Sequence, residues 1–455
     1  MRSPTSKDLE TRLLKIHGEE DIQDPCNSDV VNGLVFDCGT NETKSILYTL
    51  KNNQIQMKEV NNNGWREGVS MHLMKDTPLS FLLEKFEEAY IEACESVPEL
   101  RLDFCIVGAS SWARKFSESA SITKRKNQFM QELRDNGFFP CIFHQNEESH
   151  FELLATIFGF SVAQLERMIS PKIVFGGVLA SGGGSSQYTM FEGGCMYSSL
   201  NIEIGNREGM NLFREHASLP NNGHPLKALD EWISRMTKRI DEEISKTRGF
   251  KKNSGFVLCI SAQYYAAVEL CKKVPGKFAN KSDSANTITA GEVLEFAKRY
   301  TQKQRRVWKE MSSQERSNLI ESPKKLKSWA MGICNVSLCA LYWDRYFTKD
   351  ATLCFKRDWT FSGNIPYRST WSAGWFIDML FCHKNVDMSK SCPQMKIVMK
   401  RLKRTRDLKQ KLAIDFRSIH PDVSMLVNEM VSSHISNVRS PLPLLSLSLS
   451  LSSSR

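Results

Sequence analysis

Leu34-Val35-Phe36-Asp37-Cys38-Gly39-Thr40-Asn41-Glu42-Thr43-Lys44 runs directly into Ser45-Ile46-Leu47-Tyr48-Thr49-Leu50. Three apolar residues lead to an acid, a turn of small and polar residues follows, and a second β-prone run begins at once. The pattern predicts a β-hairpin. Gly39 has no Cβ to hold a ligand away from the backbone. The N–H groups of the turn, with the Thr40 and Asn41 side chains, make a small concavity suited to an anion. Asp37, at the strand end, is placed to reach a hydrated cation that accompanies such an anion. An ordinary hairpin with a polar turn explains the stretch equally well, so the phosphate reading depends on the rest of the chain.

A second stretch repeats the form. Residues 172–180 read as a strand that breaks into Ser181-Gly182-Gly183-Gly184-Ser185-Ser186-Gln187 before a further strand, Tyr188-Thr189-Met190-Phe191. Between the two units lies the strand Leu102–Val107, which ends in Gly108-Ala109-Ser110-Ser111-Trp112-Ala113-Arg114. A strand over 139–143 leads into Gln145-Asn146-Glu147-Glu148-Ser149-His150, the start of a helix to about residue 158. Helical spacing marks 78–97, 127–136, 227–246, 290–313 and 324–345, with one more buried strand at 255–260. Strands alternating with helices, with one unit echoed in each half, predict an α/β chain of two like domains.

The expected layout is a polar leader over 1–29, domain I over 30–160 and domain II over 161–345. A C-terminal extension of unassigned fold follows over 346–440, aromatic-rich in its first part. A Leu/Ser tail at 441–455 is too uniform to pack and is expected to be disordered.

At 455 residues the chain is long enough for two cores, and its 41% hydrophobic and 25% charged residues are those of an ordinary globular protein. The formal net charge of +10 fits an anionic partner. The 13 cysteines show no zinc-type spacing, and several sit in apolar runs such as Phe104-Cys105-Ile106-Val107, so they read as buried thiols in a reducing compartment. Met1–Ile22 has no apolar signal core, and no run approaches the roughly 18 apolar residues of a membrane span. The expectation is a cytoplasmic protein, with the nucleus also compatible, and no membrane partner. The basic run Lys400-Arg401-Leu402-Lys403-Arg404-Thr405-Arg406 lacks interleaved aromatics, which disfavours nucleic acid. Homo-oligomerisation is left open.

Two glycine turns, one per half, can grip phosphates from both sides, with Gly108-Ala109-Ser110 a third small-residue turn between them. Arg114 suits a phosphate because its planar fork donates in pairs. Glu148 opens a helix after a strand, where a carboxylate can orient and deprotonate water. Each has a plainer explanation. Gly182–Gly184 reads equally as a flexible loop, Ser110 or Ser111 as an N-cap, and Glu147 and Glu148 as acids favoured by the helix dipole. The order and spacing of the set outweigh any single member.

Taken together these residues resemble the actin-like ATPase superfamily and, within it, the exopolyphosphatase/guanosine-pentaphosphate phosphohydrolase and apyrase families. Asp37-Cys38-Gly39-Thr40-Asn41 is similar to their first phosphate loop. Gly108–Arg114 is similar to their A-T-x-A-x-R element, Asn146–Ser149 to their E-E-[GA] element, and Gly182–Gln187 to their second phosphate loop. The resemblance covers roughly residues 30–345. It implies two actin-like (ribonuclease H-like) domains with a phosphate cleft between them. It further implies a phosphoanhydride hydrolase of polyphosphate or nucleoside di- and triphosphates that uses Mg²⁺ or another divalent cation. Glu148 would activate water, Asp37 would hold the cation, and Arg114, helped by Lys44, would neutralise charge. Gly39, Thr40, Asn41, Ser110, Gly182, Gly183, Gly184 and Ser185 would hold phosphate. The chain departs from the pattern at Ala180, where the second loop usually has Asp, and at Ser261-Ala262-Gln263, where a Gly-rich turn is usual. Trp112 also replaces a small residue. These departures imply the alternative of a weak or inactive nucleotide- or polyphosphate-binding regulatory protein.

Overall fold

The opening stretch forms the expected hairpin. β1 (Val31–Cys38) pairs antiparallel with β2 (Thr43–Lys51), with Asp37 opposite Lys44 and Cys38 opposite Thr43. β3 (Gln54–Val60) continues the meander. Helices α1 (Val69–Met74) and α2 (Leu79–Glu95) precede β4 (Phe104–Ala109), which lies parallel to β1 on its free side. After α3 (Ser111–Lys115) and α4 (Ala120–Asp135), β5 (Pro140–Ile142) joins parallel to β4. The strand order is β3-β2-β1-β4-β5.

Side chains alternate across a strand. Leu34, Phe36 and Cys38 therefore share one face of β1, packed in a cluster with Leu73, Leu82, Phe86, Phe129 and Leu133 of the helices. Asp37 is turned to the opposite face.

In this computed structural model the described residues are 30–39, 42–51, 54–60, 68–97, 102, 104–109, 111–115, 120–136, 138–181, 184–192, 195–202, 206–218, 225–247, 250–273, 287–361 and 364–384. They fall in one compact unit that extends to Ile397, and a second unit, Val398–Arg455, lies outside them. So do the leader 1–29, the basic run at 400–406 and the tail 441–455.

The long helix α5 (Gln145–Leu165) carries the chain into the second half. There β6 (Phe175–Ser181), β7 (Ser186–Glu192) and β8 (Cys195–Ile202) form a second antiparallel meander. Helices α6 (Asn206–Ala217) and α7 (Pro225–Lys246) lead to β9 (Phe256–Cys259), parallel to β6. Next come α8 (Ala262–Lys272), β10 (Thr287–Thr289), α9 (Ala290–Glu310), α10 (Ser313–Ile320), α11 (Pro323–Tyr346) and β11 (Thr352–Cys354). β11 runs parallel to β9, giving the order β10-β11-β9-β6-β7-β8. Read from β8 to β11, this order and its strand directions repeat those from β3 to β5, with β10 added at the edge. Each half of the described residues thus carries the same mixed α/β sheet, the duplication that the hairpin and its echo predict.

Residue 160 and residues 347–384 join the two halves. The boundary expected at 160 falls inside α5, whose Phe160 packs against Phe175 and Phe256 of the second sheet (centroids 5.3 and 5.7 Å apart). β11 lies within the second sheet, and the segment that follows it returns to the first half. The hairpin of β12 (Asp358–Phe361) and β13 (Ile365–Arg368) is followed by α12 (Trp371–Lys384). α12 packs on α5, β1 and β2. Gly374 makes this possible, since a Cβ there would come 1.7 Å from the Phe151 carbonyl oxygen. The contact is fixed further by Tyr48, which stacks on Phe376 (5.3 Å) and shares a 2.9 Å hydrogen bond with Ser372. The described cysteines are free, most of them buried. No helix among the described residues is long and apolar enough to cross a membrane.

Candidate functional site

The ends of β1, the turn after β6 and the start of α5 face one cleft of about 640 Å³, whose walls include Asp37, Gly39, Glu148, Glu152, Gly184 and Ser185. That volume is within the range of small-molecule sites. The duplicated topology explains the convergence, because both hairpin turns lie at the same end of their sheets.

Period-two alternation delivers Asp37 to this cleft. The indole N–H of Trp371, the first residue of α12, donates to Asp37 Oδ1 at 3.1 Å. Burial pushes the Asp37 carboxyl up to about 7, against the lowering effects of the Lys44 charge and the Trp371 hydrogen bond; Glu148 and Glu42 push it further up. Lys44 is itself held by Glu42, at 2.7 Å. The Gly39 N–H bonds back to the Asp37 carbonyl (3.0 Å), so it is not the donor this turn offers to an anion.

The two acids at the start of α5 have separate tasks. Glu147 accepts from the backbone N–H of His144 at 2.8 Å and closes the helix cap. Glu148 turns inward, 7% exposed, and its Oε2 accepts from Arg114 Nη2 at 3.2 Å. Arg114 donates its Nη1 to the Phe143 carbonyl at 2.6 Å, so α3 fixes both Glu148 and the segment that precedes it. Arg114 thus stands behind Glu148, at a place where it orients the carboxylate. Ser149 and Asn146 both bond Asn201 of β8 (2.6 and 2.8 Å), tying this helix start to the second sheet.

Across the cleft, Ser185 Oγ accepts from Gln187 Nε2 at 3.1 Å, and the same amide lies 3.5 Å from Glu148 Oε2. Ser186 donates to Ser181 (2.7 Å) and Ser181 to Gln263 (2.8 Å), which braces the second turn from below. Ala180 is 2% exposed and offers no carboxylate on this wall. Thr40, Asn41, Ser110, Gly182 and Gly183 lie outside the described residues. Trp112 does not crowd the cleft; it is buried and its indole N–H donates to the Cys38 carbonyl at 2.5 Å.

Two wall residues are not among the site candidates that the sequence offers. Trp371 lies over Gly108, where a Cβ would come 2.3 Å from its ring and 2.6 Å from that of Phe143. Glu152 is one helical turn beyond Glu148, a spacing that puts both on one face of a helix and was legible in advance. Its Oε2 has no hydrogen-bond partner among the described residues, and burial, then the charges of Glu148 and Asp37, hold its carboxyl well above the usual range.

A divalent cation suits this donor set. The Glu148 charge raises the Asp37 carboxyl, the Glu148 and Asp37 charges raise that of Glu152, and an orphaned buried carboxylate oxygen is among them. Among the described residues no three His, Cys, Asp or Glu side chains form a ready-made cage, so water and ligand oxygens would complete the shell, as Mg²⁺ prefers.

No protein-family model matches the chain, and no curated protein does. In structure it is similar to the PPX-GPPA enzyme of Aquifex aeolicus at 13% identity and a TM-score of 0.48, over 77% of this chain and 99% of that one. It is also similar to an exopolyphosphatase from Cytophaga hutchinsonii (13% identity, TM-score 0.43, 78% and 99%). A third similar structure is a nucleoside triphosphate hydrolase from Neospora caninum (10%, TM-score 0.43, 83% and 97%).

Proposed function

We propose that this chain hydrolyses phosphoanhydride bonds, in polyphosphate or in nucleoside di- and triphosphates, with Mg²⁺ or a similar cation. One observation carries the proposal: Glu148 is buried, oriented by Arg114, and faces a cleft walled by Asp37 and the Gly184–Ser185 turn. A phosphate chain lying between the two hairpin turns would present its terminal phosphorus to a water held by Glu148. Glu148 takes the proton as the water oxygen bonds to phosphorus, and the anhydride P–O bond breaks with its electron pair leaving on the departing phosphate. Arg114 keeps the carboxylate of Glu148 aimed at that water. Asp37 would hold the cation, which would supply charge neutralisation to the phosphate oxygens. Ser185 and backbone N–H groups of both turns orient the chain.

Replacing Glu148 with Gln keeps the shape and removes the base, so phosphate release should fall by 10²-fold or more, with ligand binding kept. A Glu148→Gln protein that releases phosphate at the parent rate would end this mechanism. Ala180 favours a second reading, a protein that binds such ligands and turns them over weakly or not at all.

A further inference from the structure

Three carboxyl groups converge on the cleft, and its basic groups are engaged with other partners. Asp37, Glu148 and Glu152 all line it. Arg114 is engaged by Glu148 and the Phe143 carbonyl, and Lys44 by Glu42. Arg357 and Arg368, also on the walls, are paired with Asp358 at 3.3 and 2.5 Å. A polyanion entering such a space meets repulsion unless a cation enters with it.

Glu152 is the least satisfied of the three acids. At 9% exposure it is a buried carboxylate on the cleft wall, and among the described residues no group hydrogen-bonds its Oε2. A buried acid without a partner destabilises a fold by a few kcal/mol, and such orphans are retained where something else completes them. A neutral acid leaves this oxygen equally unpartnered. Leucine or methionine would fill the same helix position between Phe151 and Leu153 without that cost. The neighbouring Thr156 hydroxyl bonds the Glu152 backbone carbonyl and leaves the carboxylate alone.

We propose that Glu152 is a ligand of the divalent cation, supplied from α5 where the facing wall has only Ala180. Asp37, on the same cleft, would be the second acid toward the cation, with Glu148 on the helix face of Glu152 left to act on water. This rests on the phosphoanhydride reading for its purpose and on the orphaned oxygen for its place.

The probe is Mn²⁺ alone, titrated into the full chain while free Mn²⁺ is read by electron paramagnetic resonance. Glu152→Gln and Glu152→Leu should each weaken uptake tenfold or more, as loss of a group at a metal site does. Without metal, both should melt at or above the parent temperature, since they remove an unpartnered acid. Uptake by either variant at parent affinity overturns the proposal, as does a parent that takes up no Mn²⁺. A variant that melts several degrees lower in metal-free buffer also overturns it, by showing that the carboxylate supports the fold. The outcome is independent of turnover: if Glu148→Gln keeps its activity the hydrolytic mechanism fails, whatever Glu152 does to Mn²⁺.

Discussion

Asp37→Asn should stabilise the metal-free protein, and more so as pH rises. The Asp37 carboxyl moves from 3.8 to about 7 on folding, chiefly through burial. The folded form therefore keeps a proton that the unfolded chain gives up. Stability from this group is fully present below pH 3.8 and is lost as pH rises towards 7. At about 1.4 kcal/mol per unit, the loss is about 4 kcal/mol by pH 8 and about 2 kcal/mol at pH 5. The side chain opens partly onto the cleft, so solvent screening makes these upper bounds. Asn keeps the shape and still accepts the Trp371 indole N–H, so it removes the charge and little else. Urea unfolding of both proteins in EDTA at pH 5 and pH 8 measures the difference. The gain should be at most about 2 kcal/mol at pH 5 and about 2 kcal/mol larger at pH 8, and added Mg²⁺ should stabilise the parent more than the variant. An Asn variant with the same advantage at both pH values, or none, refutes the view that Asp37 is an ionisable group confined by burial.

Gly108→Ala would put a methyl 2.3 Å from the Trp371 ring, so the loss should be about 1–3 kcal/mol by urea unfolding. Parent stability would mean that α12 does not lie where it is described. Ala180→Asp returns a carboxylate to the facing wall. If the natural chain is already a hydrolase, turnover should not rise above the parent, whereas a tenfold gain in phosphate release would establish the weakly active reading.

The parts of this protein that rest on local chemistry were readable from its residues. The Asp37–Lys44 turn, its echo at Ser181–Gln187 and the strands around them follow from period-two apolar runs broken by glycine. With Glu148 on a helix between them, the duplicated sheet was within reach. The fate of residues 347–384 was not, because it is decided by long-range packing. Nothing near Gly374 in the sequence announces that its backbone will touch Phe151, and Trp371 reaches Asp37 across 334 positions. The roles of Glu147 and Glu148 were also ambiguous, since either acid suits the first turn of a helix. Only the His144 cap shows which one faces the cleft. Glu152 was overlooked for a simpler reason: an acid on a long helix reads as a solvated face until its burial is known.

The most direct measurement is phosphate release in water enriched in ¹⁸O, with Mg²⁺, from ATP, ADP, UDP and polyphosphate. The account predicts release from at least one of them, dependent on the cation, with one solvent oxygen in each phosphate formed by a single attack. Absence of release from all four, with and without Mg²⁺, would contradict it.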